Sequence, residues 1–185
     1  MVWEDKKIEN RGKGKLFIPQ RTQPPHIGHI SMLEAACSMA DEVIIGIGSA
    51  NIINAQNPYY AIEREMMLRN SLEDKKISNY RFIHMPDFND DRDWLDYVLK
   101  YSGFNSNTKV VSGNSWVEEI FRQKGYSTIK PEKIIGQNLI DISATKLRNM
   151  IITEDMNWQN YAASGTIHYF NRFGGKNRIA KFYQN

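Results

Sequence analysis

Two imidazoles flank a glycine in His26-Ile27-Gly28-His29, between a short apolar strand, Lys15-Leu16-Phe17-Ile18-Pro19, and an apolar run from Ile30 to Ala36 of helical character. Side chains three apart share a helix face. A helix N-terminus carries unpaired N–H groups and partial positive charge, which favour phosphate. Pro25 suits a first helical turn, because its missing N–H would be unpaired there in any case. Gly28 leaves room for a ligand, and Arg21 adds a planar cation with fork geometry. Together these residues read as a cradle for a triphosphate. Ordinary surface histidines and a zinc site are the competing readings. Zinc needs a third protein ligand, and no neighbouring Cys or carboxylate pattern supplies one.

Further along, Ile142-Ser143-Ala144-Thr145-Lys146-Leu147-Arg148 opens another helical run. Ser143 is a plausible N-cap, Ser143 or Thr145 could donate to a phosphate oxygen, and Arg148 shares a face with Thr145. Alone, the segment would read as a capped surface helix. Ile47-Gly48-Ser49-Ala50-Asn51 and Val111-Ser112-Gly113-Asn114 each close a strand with small residues that admit close backbone approach. Four aspartates between Asp87 and Asp93 suggest a metal loop, but the Gly and distant Glu of a calcium loop are missing. A capped, solvated helix start is the default there, and Trp94 would by itself be a core residue.

The elements that must position these groups alternate. Strands are expected near residues 15–19, 42–48, 80–84, 109–111 and 127–129, with a doubtful one at 133–135. Helices are expected near residues 26–40, 61–72, 92–101, 116–124 and 143–152. Such alternation argues for a parallel α/β sheet, and ligands then bind at the carboxyl ends of its strands. The tail from Trp158 could pack as a terminal helix or contact another subunit. With 185 residues, a single domain over 15–185 behind a flexible lead-in at 1–14 is expected. The net charge of +3 is too mild to imply a nucleic-acid surface. No run is long enough to span a membrane. Cys37 is the only cysteine, so no internal disulfide can form, and a core role in a reducing cytoplasm is expected.

The order strand, Arg-x-Gln-Pro-x-His-x-Gly-His, helix resembles the nucleotidyltransferase superfamily that carries HxGH. More narrowly, it resembles the archaeal-type nicotinamide-nucleotide adenylyltransferases. Arg21, Gln23, Pro24, His26, Gly28 and His29 match that opening, while Gln20 stands where the family has glycine and Thr22 and Pro25 where it has phenylalanine. Residues 142–148 are similar to the family's closing Ile-Ser-x-Thr-x-Ile-Arg. Asn57 to Arg64, the Asp87-to-Trp94 spacing and Ser112-Gly113-Asn114 match inner motifs, with Asp91 where relatives often carry Asn. The resemblance implies an α/β Rossmann-like parallel sheet flanked by helices, the HxGH nucleotidyltransferase fold, with a short C-terminal helical tail.

It also implies a reaction: ATP plus nicotinamide mononucleotide gives NAD and pyrophosphate by direct in-line transfer. The implied catalytic set is His26, His29, Arg21 and Arg148, with His29 stabilising charge at the α-phosphate. Gln23, Gly28, Gly113, Asn114, Ser143 and Thr145 would bind ATP. Ser49, Arg64, Asp87 and Trp94 would bind the mononucleotide, Arg64 through its phosphate and Trp94 by stacking on nicotinamide. Mg²⁺ would ride on the ATP phosphates, with no dedicated protein ligands. A cytoplasmic homo-oligomer acting on these small molecules, without nucleic acid or membrane, completes the expectation. Two alternatives stay open. One is the same fold with another acceptor, such as FMN or phosphopantetheine. The other is a nucleotide-binding module without turnover.

Overall fold

Val43-Ile44-Ile45-Gly46-Ile47 is apolar at every position, and a strand of that kind is stable only with both faces covered. The computed structural model, which describes residues 14–136 and 140–183, covers it on both. This strand, β2 (Glu42–Ile47), lies second in a five-stranded sheet with β1 (Lys15–Gln20), β3 (Tyr80–His84), β4 (Thr108–Val111) and β5 (Thr128–Ile129). The order is β3-β2-β1-β4-β5, and every pairing is parallel. Phe17 of β1 pairs with Ile44 on one side and Val110 on the other. Such an order reverses direction between β1 and β4, where an open parallel sheet leaves a crevice for a ligand.

Side chains alternate across the sheet with period two. Leu16, Ile18, Val43, Ile45 and Ile47 pack with Leu33 and Ala36 of α1 (Ile27–Met39) and Leu68 and Leu72 of α2 (Ala61–Asp74). Phe17, Ile44, Ile83, Met85 and Val110 pack on the other face. There they meet Trp94, Leu95 and Val98 of α3 (Asp91–Ser102) and Val117 and Phe121 of α4 (Ser115–Gln123). Cys37 sits in the first of these cores, and burial pushes its thiol up to about 11. The acidic stretch is a helix start. Asp90 caps α3 by accepting from the Arg92 N–H at 2.7 Å, and Gly103 ends it with φ +61°.

Three expectations shift. Residues 133–135 are no strand but part of a short helix, α5 (Glu132–Ile135). Pro131 starts it, and Gly136, at φ +59°, stops it. Pro25 lies just outside its helix, because the N-cap of α1 is His26 and the first helical residue is Ile27. The tail is not one helix. After α6 (Ala144–Ile152), it makes α7 (Trp158–Tyr161), α8 (Ser164–Phe173) and α9 (Gly175–Tyr183).

The tail helices share a third core. Tyr59, Met67, Leu147, Trp158, Phe170 and Ile179 form it. Gly165 lets α8 approach α2, since a Cβ there would fall 2.0 Å from the Met67 carbonyl oxygen. The tail also braces the histidine loop: Thr166 Oγ1 donates to the Pro25 carbonyl at 2.8 Å, and Ala163 N does so at 3.3 Å. The expected lead-in at 1–14 falls, apart from Gly14, outside the described residues.

Candidate active site

Three cavities meet at the carboxyl ends of β1 and β4. An apolar slot of about 270 Å³ is walled by Ile18, Pro19, Met32, Pro131, Ile135, Ile140 and Ile142, with Ser112 and Gly113 at its edge. A polar basin of about 580 Å³ is lined by Arg21, Thr22, Gln23, Gln56, Ser143, Thr145, Arg148 and Tyr183. A third cavity of about 290 Å³ holds Ser49, Met85, Asp87, Trp94, Asn114 and Trp116. His29 borders the slot and the basin, Arg21 the basin and the third cavity, and Pro19 and Gln20 the slot and the third cavity. An apolar slot, a cationic basin and an aromatic pocket thus converge on His29 and Arg21.

The histidine pair is preorganised. His26 N–H donates to His29 Nδ1 at 3.2 Å, so the neutral His29 ring carries its proton on Nε2. The two rings stack at 3.6 Å between centroids with 28° between planes. Two charges at that separation repel by roughly 5 kcal/mol even at an effective dielectric constant of about 20. Burial brings the His26 pKa down to about 4. Burial, and then the neighbouring His26, hold His29 well below the usual imidazole range. Both rings are therefore neutral at pH 7 until an anion arrives. Gly28 is needed for the packing as well as for access: a Cβ there would lie 3.1 Å from His26 Nδ1 and 3.4 Å from the Ile142 side chain.

Other buried polar atoms gather around the same loop. Six buried side-chain polar atoms among the described residues have no hydrogen-bond partner, and four of them are Gln20 Nε2, Thr22 Oγ1, His26 Nδ1 and Arg148 Nε. Buried polar groups are normally satisfied, so a cluster of exceptions marks a site built for something polar. Thr22 and Ser49 have φ of +47° and +48°, a left-handed conformation costly for residues with a Cβ. The N-terminus of α6 faces the basin. Ser143 caps it through Lys146 N at 3.1 Å, and Arg148 reaches back to Thr145 Oγ1 at 3.3 Å and to the Gln23 carbonyl at 2.7 Å.

The structure brings most of the expected residues to the rim of these cavities and shows structural hydrogen bonds for three of the expected set. Arg64 is fully buried and lines none of the three. It donates to the carbonyls of Arg21 (2.6 Å), Gly48 (2.7 Å), Ser49 (3.3 Å) and Tyr60 (3.4 Å). Burial brings its pKa down to about 10. It staples the loops after β1 and β2. The Gln23 side chain clasps the Tyr59 backbone, giving and accepting at 3.0 Å, while Gln23 lines the basin. Asn114 caps α4 by accepting from Trp116 N at 2.9 Å and borders the aromatic pocket.

Two residues were missed. Trp116, read only as a helix start, walls the third cavity and packs on Trp94 at 4.9 Å. Its position directly after Gly113-Asn114-Ser115 at a strand end was the available signal. Asn51 clasps the Asp87 backbone in both directions, at 2.7 and 3.1 Å, which fixes Asp87 at the pocket. Among the described residues, no three His, Cys, Asp or Glu side chains cluster as a metal site, and no helix is long and apolar enough to cross a membrane.

Sheet order and site together define an α/β nucleotidyltransferase. The Cytidylyltransferase-like family model matches residues 21–150. The nicotinamide-nucleotide adenylyltransferase of Methanococcus aeolicus is 35% identical over 169 residues, covering 90% of this chain and 94% of that one. Its counterpart from Thermococcus kodakarensis is 35% identical over 170 residues, covering 90% and 87%. The chain therefore belongs, within the cytidylyltransferase-like proteins, to the nicotinamide-nucleotide adenylyltransferase family. A bifunctional NMN adenylyltransferase/ADP ribose pyrophosphatase from Francisella tularensis, solved with AMP and a manganese ion, shares the fold. The superposition has a TM-score of 0.74 at 22% identity, and covers 91% of this chain and 52% of that protein.

Proposed function

We propose that this protein joins ATP and nicotinamide mononucleotide into NAD, releasing pyrophosphate. The observation that carries the reading is the convergence of the apolar slot, the cationic basin and the aromatic pocket on His29 and Arg21. The family membership supports it. The slot suits a purine, the basin a triphosphate and the third cavity a pyridine mononucleotide, so the α-phosphorus falls at the junction.

An oxygen of the mononucleotide phosphate attacks the α-phosphorus. The bond from that phosphorus to the α,β-bridging oxygen breaks, and the electron pair leaves with pyrophosphate. A phosphate is already a nucleophile, so the protein's task is positioning and charge stabilisation. His29 Nε2–H donates to a non-bridging oxygen at the α-phosphate, beside His26. Arg21, Arg148, Ser143, Thr145 and the α6 N-terminus hold the leaving pyrophosphate. Ser49 and Asp87 orient the mononucleotide, and Trp94 offers a ring face to its cationic base. Gly28 and Gly113 let the nucleotide lie close to the backbone. The basin's arginines face phosphate rather than metal, so Mg²⁺ would be carried in on the nucleotide and would supply neutralisation of phosphate charge. The enzyme acts as a cytoplasmic homo-oligomer in this reading, as a single domain spanning residues 15–185.

Purified protein incubated with ATP, Mg²⁺ and, in parallel, nicotinamide mononucleotide, FMN or phosphopantetheine tests the proposal. NAD and pyrophosphate in equal amounts from the pyridine acceptor are expected. Product only from another acceptor would keep the chemistry and overturn the substrate. ATP binding with no product would favour a non-catalytic module.

A further inference from the structure

Thr22 lines the polar basin, is only 2% exposed, and carries a hydroxyl oxygen with no hydrogen-bond partner. Its backbone is left-handed, at φ +47°. A β-branched residue in that region is a true outlier, and such strain persists only where the surroundings enforce it. Here they do so from both sides. The Arg21 carbonyl before it accepts from Arg64 Nη1 at 2.6 Å. The Gln23 carbonyl after it accepts from Arg148 Nη1 at 2.7 Å, and the Gln23 side chain is clasped to the Tyr59 backbone. A residue held this firmly, with its one polar side-chain group left unpaired, is a poor solution for folding alone.

The basin around it says what the hydroxyl would meet. Arg21 precedes Thr22 in the chain, Arg148 is bonded to the carbonyl of the residue that follows, and both arginines line the basin. Ser143 and Thr145 line it too, from the start of α6. No carboxylate is among the described lining residues. Such a wall selects an anion, and a hydroxyl adds one donor to its grip. Buried away from water, the Thr22 proton has no solvent competitor, and χ1 can turn it between staggered wells toward the basin. The phenylalanine that the resembling family has at this place carries no donor, so the contact is particular to this chain.

Resting on the adenylyl-transfer reading above, we propose that Thr22 is a further donor to the β,γ-diphosphate of ATP. Its Oγ1–H bonds an oxygen of that group beside Arg21 and Arg148, and keeps the bond as the group leaves as pyrophosphate. Thr22→Val preserves the branching and size and removes the hydroxyl. Thr22→Ser preserves the hydroxyl.

The experiment titrates the wild-type protein and both variants with ATP and with AMP, each with Mg²⁺, by calorimetry, and follows thermal unfolding without ligand. Thr22→Val is expected to bind ATP about tenfold more weakly, the scale of one hydrogen bond to a charged group, and AMP as the wild-type protein does. Its Tm should be unchanged or higher, since a methyl replaces an unpaired buried hydroxyl. Thr22→Ser should keep most of the ATP affinity. Unchanged ATP affinity in Thr22→Val, equal weakening toward ATP and AMP, or an equal loss in Thr22→Ser would overturn the inference. So would a fall in Tm or a loss of folding in Thr22→Val, because the hydroxyl would then serve the fold. If the wild-type protein binds ATP yet makes no NAD, the proposed function fails, and the comparison of ATP with AMP still decides the inference. No ATP binding by the wild-type protein would end both.

Discussion

His26 and His29 stack, and neither can hold a proton comfortably in the folded protein. Because burial lowers the His26 pKa from 6.5 to about 4, while the unfolded chain keeps the ordinary value, the unfolded state binds more protons between those limits. This contribution to stability is therefore complete above about pH 6.5 and shrinks as pH falls toward 4. The loss from His26 alone reaches about 3 kcal/mol. Urea unfolding at pH 8 and pH 5 should show about 2 kcal/mol of that loss in the wild-type protein and a smaller one in His26→Gln. Equal pH slopes in the two proteins would refute the assignment. The pair was legible in the sequence because the spacing of two histidines around glycine is a local fact. Burial, stacking and the His26 N–H to His29 bond were not, since they depend on Ile142 and on the tail that braces Pro25.

At the scale of elements, the strand and helix order was readable from apolar periodicity, and the strands fall within a residue or two of expectation. What could not be read is which loops a buried side chain would tie together. Arg64 is a helical arginine in sequence and a four-carbonyl staple in the structure. It holds the Arg21 and Ser49 loops that bound the basin and the third cavity. Arg64→Ala leaves buried carbonyls without partners and a large void, so a loss of about 3 to 5 kcal/mol is expected. Thermal unfolding should show it as a clear fall in Tm without any ligand. A variant as stable as the wild-type protein, weakened only in mononucleotide KM, would instead assign Arg64 to the mononucleotide phosphate. The tail was the least legible element. Its apolar residues pack on α2 and α6, partners remote in sequence, and the close approach at Gly165 carries no local signature.

At the scale of the molecule, one crevice at the reversal of strand order gathers residues from Ile18 to Tyr183. The sheet supplies rigidity, the loops after β1, β2 and β4 supply contacts, and α6 returns from the far end of the chain to close the phosphate basin. Motif order along the sequence signalled that gathering, but not how the three cavities divide the substrates. Single-turnover formation of NAD by the wild-type protein and His29→Ala, with ATP binding measured alongside, tests the central claim most directly. The expected result is NAD from the wild-type protein. The variant should bind ATP but turn over about 10² to 10³ times more slowly, as when one charge-stabilising donor is removed. No NAD from the wild-type protein, or equal rates in both proteins, would contradict it.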